Sequence, residues 1–304
     1  MQMKNERKIE LDYLRIVACL MVVGIHVVGA NNYTDPKSVQ WIICNVCDLA
    51  LWGCVPIFFM ISGAILFEKN VNHTIFLKKI MYILKIWLLT SFLYVFLDMG
   101  VTYAIYGLKI NRITSIREVF LILKYIGGNL NEFLKLWCKG FYHLWYLPAM
   151  IMFYIMVPLV RNILYGEKLS IKYFMAIVIY IILQKNVLVN YIQKNECISL
   201  LVSRFDATFF TYILYGVIGY LMQKRKYRKK DYLLCVTIYI ICVMAAFIIR
   251  KQEFISTGIF FDKQAYWGIT SVIESICIFI FFNSLKKKAV LLLEKFPNVR
   301  LEYI

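Results

Sequence analysis

The sequence predicts an all-α protein, a polytopic bundle of transmembrane helices, and three observations carry that prediction. Hydrophobic residues make up 61% of the chain and charged ones 17%, whereas soluble globular domains are only about 45–50% apolar. The apolar residues fall in long runs, and about 20 in a row are enough to cross roughly 30 Å of hydrocarbon as a helix. The basic residues gather at the ends of those runs. The formal charge of +17 therefore sets topology at a lipid bilayer and does not form a nucleic-acid-binding face.

The first run, RKIELDYLRIVACLMVVGIHVVGA at residues 7–30, organises the rest. It lacks a small-residue cleavage site behind a short apolar core, so it reads as a retained span and not a signal peptide. It carries Arg15 and His26, separated by about 16 Å of helical rise and only about 20° of rotation. Asp12 lies one turn before Arg15, within salt-bridge reach, so one face reads Asp12, Arg15, Cys19, Val22, His26. An ionisable side chain at that depth costs several kcal/mol unless it faces a partner or a wet cavity, and is a candidate site for that reason. The plainer alternative is that Arg15 snorkels to the inner headgroups while His26 bonds a neighbouring helix.

The remaining spans follow in order. The second, about 41–67, contains PIFFMISGAIL, and Pro56 and Gly63 predict a kink or close packing. Ser62 there fits small-residue helix packing better than nucleophilic chemistry. The third span covers about 80–99, with Lys85 snorkelling near its start. Residues 98–140 offer only short apolar bursts and read as an outer loop with interfacial helices. The fourth span begins at His143, Trp145 and Tyr146 and leaves at Arg161; its aromatic residues suit an interfacial belt, though Trp145 and Tyr146 can also stack on a sugar. Spans at about 173–189, 208–222, 232–249 and 266–282 complete about eight crossings. Glu274, in the middle of the last, must face the bundle or be neutral, and a histidine or arginine is its natural partner.

With the N-terminus inside, most of the 35 Lys and Arg residues fall in inner segments, including Lys78, Lys79, Arg161 and the run from Lys224 to Lys230. The positive-inside rule then places both termini in the cytoplasm of a cell-membrane protein, although the basic 98–140 loop narrows the margin. Arg250 is counted with the outer residues, and His73 reads as solvated in an inner loop. The chain is read as one integral-membrane domain, residues 1–304. Nine cysteines are scattered, mostly in apolar runs, where a thiol is a small hydrophobe. Cys44 and Cys47 form a C-x-x-C at helical spacing with no further ligands nearby, so no metal is expected.

Four stretches occur in a familiar order: LDYLRIVACLMVVGIHV, PIFFMISGAIL, FLKKIMYILKIWL and HLWYLPAMIMFYIMVPLVR. Together they resemble the membrane-bound acyltransferase 3 family, in particular its surface-polysaccharide O-acetyltransferase branch, over residues 7 to about 163, with a looser match from TYILYGVIGYLM onward. The resemblance implies an integral enzyme that takes an acyl group, usually acetyl from cytoplasmic acetyl-CoA, to a hydroxyl of an envelope glycan or lipid-linked sugar. The family's functional arginine and histidine fall on Arg15 and His26, and Lys78 and Lys79 are similar to a cluster that is usually arginine-rich. Lysine attracts phosphate as a point charge without arginine's bidentate fork. The family implies about ten spans and a last helix with a Ser-x-Gly-Ile-Tyr-like stretch. The sequence reaches Ile304 without it, so either the chain is shortened or that helix is dispensable.

Acyl transfer needs a base for the hydroxyl proton and stabilisation of the thioester oxyanion. Histidine titrates near neutral pH and as a general base contributes about 10² to 10⁴ in rate, which makes His26 the candidate, either as base or as transient acyl carrier. Arg15 suits the phosphates of coenzyme A or a carboxylate such as Asp12. His143 is the acceptor-side acid or base, the alternative being an interfacial histidine bonded to lipid or loop. The expected catalytic set is thus His26, Arg15 and His143, with Arg15, Lys78 and Lys79 at the donor. The alternative from another class is a transporter or flippase using the Arg15–His26 stripe as a polar path; an inverted internal repeat would favour it, and none is evident.

Overall fold

The computed structural model describes residues 8–29, 35–68, 74–109, 115–139, 142–166, 171, 174–175, 177–179, 205, 207–258 and 268–284. Among them every regular element is helical. In order these are α1 (Ile9–Gly29), α2 (Val39–Leu51), α3 (Cys54–Leu66) and α4 (Thr74–Thr102), which a π-helical turn at Tyr103–Gly107 extends. There follow α5 (Ile116–Gly128), α6 (Leu130–Lys139), a 3₁₀ turn at Tyr142–Trp145, and α7 (Tyr146–Tyr165). A 3₁₀ helix at Ala207–Tyr212 leads into α8 (Ile213–Lys224), α9 (Lys229–Thr257) and α10 (Ile269–Ser284).

Five stretches among the described residues are long and apolar enough to cross a bilayer: Ile9–Gly29, Val39–Leu66, Phe76–Gly107, Tyr146–Tyr165 and Lys230–Thr257, with Ile269–Asn283 a shorter apolar helix. Their outward faces carry large apolar side chains such as Leu20, Val23, Leu89, Leu97 and Ile241. So much exposed apolar surface suits lipid and not water, as the all-α membrane bundle requires. The span expected at 173–189 lies largely outside the described residues, and so does His73. The one expected at 208–222 is a 3₁₀ helix followed by the 12-residue α8.

The second span differs from expectation. It is broken at Trp52–Gly53, not kinked at Pro56. The Trp52 N–H turns back to Leu49 O at 3.2 Å, closing α2 with a tight turn. Pro56 then falls in the first turn of α3, where a missing N–H loses no helical bond. Proline here opens a helix.

Two compact units divide the helices: α1–α3 with α8–α10, and α4–α7 with the 3₁₀ helix before α8. The first is built around α3, buried along most of its length. Gly63 meets α8 so closely that a Cβ there would lie 2.1 Å from Gly216 O, and one on Gly219 would lie 2.1 Å from Met60 O. Backbones at that range need small residues. Elsewhere in the unit, Trp41 and Leu49 of α2 pack with Val243, Ala246 and Phe247 of α9. In the second unit α5 and α6 close over the end of α4 through Val95, Met99, Ala104, Ile122, Ile126 and Phe133. A capping box between Ser115 and Glu118 starts α5, satisfying two backbone donors reciprocally, and the Tyr103 and Tyr125 rings stack at 4.1 Å.

Candidate functional site

Helix α1 buries Glu10, Leu11, Leu14, Ala18 and Met21 along one seam. At 100° per residue the stripe Asp12, Arg15, Cys19, Val22, His26 lies roughly a third of a turn round from it. The stripe therefore flanks the packed seam and stays open. Arg15 is half-buried and donates from Nη1 to Asp12 Oδ1 at 3.1 Å, while Cys19 and His26 are exposed. An ion pair so accessible is worth ~0–1 kcal/mol; its use is to orient the guanidinium.

The Arg15 end of α1 is tied to its neighbours by polar contacts. Lys8 pairs with Glu68 just beyond α3 and donates to Ala64 O at 3.3 Å. Gln223 of α8 donates to the buried Glu10 carboxylate at 2.9 Å, and Asn283 of α10 to Met222 O at 3.1 Å. This end of the unit is fixed by α3, α8 and α10 together, which gives Arg15 a rigid base.

Lys78, Lys79 and His143 belong to the other unit. Lys78 and Lys79 are exposed near the start of α4, with Lys79 Nζ 6.0 Å from the centre of the Tyr154 ring on α7. Arg161 corrects an expectation. Read as the end of the fourth span, it lies inside α7, which runs on to Tyr165, and it is 1% exposed, with its guanidinium 5.7 Å over the Phe76 ring. His143 lies in the 3₁₀ turn that opens α7. Two residues on, Trp145 packs against Phe209 and Tyr212, each with ring centroids at 5.9 Å.

A family model described as an acyltransferase domain matches residues 8–290. The chain belongs to the acyltransferase 3 family. Every candidate residue of this membrane acyltransferase, from Arg15 to His143, lies within the matched range. No curated protein and no solved structure matches it.

One constellation in the acyltransferase escaped sequence reasoning. Arg250, counted with the outer segment, is an interior residue of α9, since that helix continues to Thr257. Its Nη1 donates to Asp48 Oδ2 at 2.5 Å and to Asn45 Oδ1 at 3.4 Å, and all three residues are buried. Asp48 Oδ2 also accepts from Trp52 Nε1 at 3.0 Å. Glu274 faces the bundle as expected and is 1% exposed, with Arg250 as a charged neighbour. The available signal was Asp48, a carboxylate inside the apolar run CNVCDLALWG, which requires a buried cation elsewhere in the chain. Among the described residues no three His, Cys, Asp or Glu side chains are grouped to hold a metal.

Proposed function

We propose that this membrane acyltransferase is an O-acetyltransferase of the cell membrane, with both termini cytoplasmic, that moves acetyl from acetyl-CoA to a hydroxyl of an envelope glycan or lipid-linked sugar. The observation that carries the reading is the membership in the acyltransferase 3 family together with a first helix presenting Arg15 and His26 on one open face. In this reading the acceptor oxygen attacks the thioester carbonyl, the C–S bond breaks, and an imidazole nitrogen of His26 takes the hydroxyl proton and returns it to the departing thiolate. Covalent capture of the acetyl by His26 is the variant of the same step. Arg15, oriented by Asp12, meets the donor phosphates; Lys78 and Lys79 carry positive charge suited to the same donor, and His143 serves the acceptor side. About 16 Å of helix between Arg15 and His26 lets donor and acceptor groups approach from different depths.

The test is transfer of labelled acetyl from acetyl-CoA by the purified protein in lipid vesicles, alongside mass spectrometry of envelope glycans with and without it. The glycans should differ by one acetyl mass, and His26→Ala should abolish transfer without lowering the melting temperature, since His26 is exposed. Normal transfer by that variant would remove His26 from the mechanism. No acetyl-bearing glycan and no transfer from acetyl-CoA would reject the acetyl reading and leave the family membership standing.

A further inference from the structure

The unit formed by α1–α3 and α8–α10 holds buried charge that acyl transfer leaves unused. Arg250 bonds Asp48 and Asn45, and Asp48 is held in turn by the Trp52 indole. Glu274, with Arg250 as its charged neighbour, is 1% exposed, and its Oε2 has no hydrogen-bond partner among the described residues. Among the described residues, the titratable and charged groups around Glu274 are Arg250, Tyr239 and Cys242 on α9 and Cys277 on its own helix. The Tyr239 hydroxyl is engaged with Ala50 O at 2.6 Å. On α3, Cys54 neighbours Asp48. The buried Glu10 of α1 meets α10 at its far end, where Asn283 bonds Met222 beside the Gln223–Glu10 pair; nine residues of helix put that end ~13 Å away, and His26, at the other end of α1, is exposed.

Asp48, Glu274 and Arg250 carry formal charges that sum to −1, sealed from water inside a membrane bundle. An uncompensated charge there costs several kcal/mol, and one bound proton removes it. The setting favours a positive charge as well. The C-terminal end of α2 directs its carbonyl dipoles at the break, and broken helices at membrane depth are where protons and sodium ions are bound in other membrane proteins.

We propose that Asp48, Arg250 and Glu274 form a one-proton site at the break in the second span. With Arg250 on Asp48, as here, the proton is on Glu274. When the guanidinium turns to Glu274, the O–H bond there breaks and one forms on Asp48, leaving the total charge at zero. The exchange acts on the break itself. Asp48 holds Trp52, the residue that ends α2, and a Cβ on Gly53 would lie 3.4 Å from Ser275 N, next to Glu274. The proton's position is thereby coupled to the α2–α3 junction. That junction is level with the His26 end of α1, since a Cβ on Gly24 would meet Leu51 Cδ1 at 2.8 Å.

Infrared spectroscopy of the full chain in lipid nanodiscs tests the site through the C=O stretch of a protonated carboxyl, which shifts when H₂O is replaced by D₂O. Glu274→Gln and Asp48→Asn each leave one carboxylate for the one guanidinium, so each difference spectrum against wild type should show the loss of the same protonated-carboxyl band. A wild type without that band, or a band that survives either substitution, overturns the proposal. Should one variant fail to fold, the other alone decides. The readout requires neither donor nor acceptor, so it stands apart from the acetyl-transfer test.

Discussion

Gly63→Ala tests the centre of the first unit. The new Cβ would lie 2.1 Å from Gly216 O and 2.3 Å from Gly216 Cα, so it meets backbone and no side-chain rotation relieves it. Ordinary contact begins at 3.4 Å, so α3 and α8 must separate by roughly 1 Å or more, a backbone shift of the kind that costs ~1–3 kcal/mol and occasionally more. Separation also loosens the neighbouring Met60–Gly219 contact, which is as tight, so the upper end of that range applies. Alanine's better helix propensity returns about 1 kcal/mol. The net loss is about 2 kcal/mol, or roughly 4–8 °C in melting temperature. In detergent micelles a thiol-reactive fluorophore reads unfolding as Cys54, Cys235 and Cys277 lose their burial. Gly24→Ala is the control, because its Cβ meets only the Leu51 side chain, with the flexible Cδ1 nearest, and it should melt near wild type. If Gly63→Ala also melts at the wild-type temperature, the backbone contact between α3 and α8 does not exist.

Two further substitutions separate stability from activity. Arg250→Ala leaves Asp48 buried without its cation and should cost ~3–5 kcal/mol, read by the same thiol assay; a loss below about 1 kcal/mol, the scale of an exposed pair, would contradict the burial of this one. Arg15→Lys keeps the charge but loses the fork. It should weaken binding of coenzyme A measured by calorimetry while changing stability by less than about 1 kcal/mol, because the pair with Asp12 is partly exposed; unchanged donor affinity would take Arg15 out of the donor site.

The features legible in the sequence are those set by a local period. The apolar run that becomes α1 announces its length, and 100° per residue places Arg15 and His26 on one face whatever surrounds them. Gly63 within an apolar run announces close packing, and α8 supplies the second glycine. Whether the Arg15 stripe would be enclosed or open was not legible, because that depends on which flank of α1 its neighbours choose. The seam through Leu11, Leu14 and Ala18 takes the packing and leaves the stripe beside it.

Arg250 shows how a correct local rule gives the wrong partner. An arginine at the end of an apolar run ordinarily snorkels, and IICVMAAFIIRKQEF reads as such an end. The rule depends on where the helix stops, and α9 continues for seven residues to Thr257, about 10 Å, under cover of the Trp41–Phe254 contact, whose ring centroids lie 5.8 Å apart. Arg250 is itself buried, so its compensation is lateral, and Asp48 stands there. Two mid-run carboxylates, Asp48 and Glu274, therefore bear on one buried arginine. That imbalance was present in the sequence as a charge sum over apolar runs, and only the packing of α2, α9 and α10 shows that the three charges belong to one site.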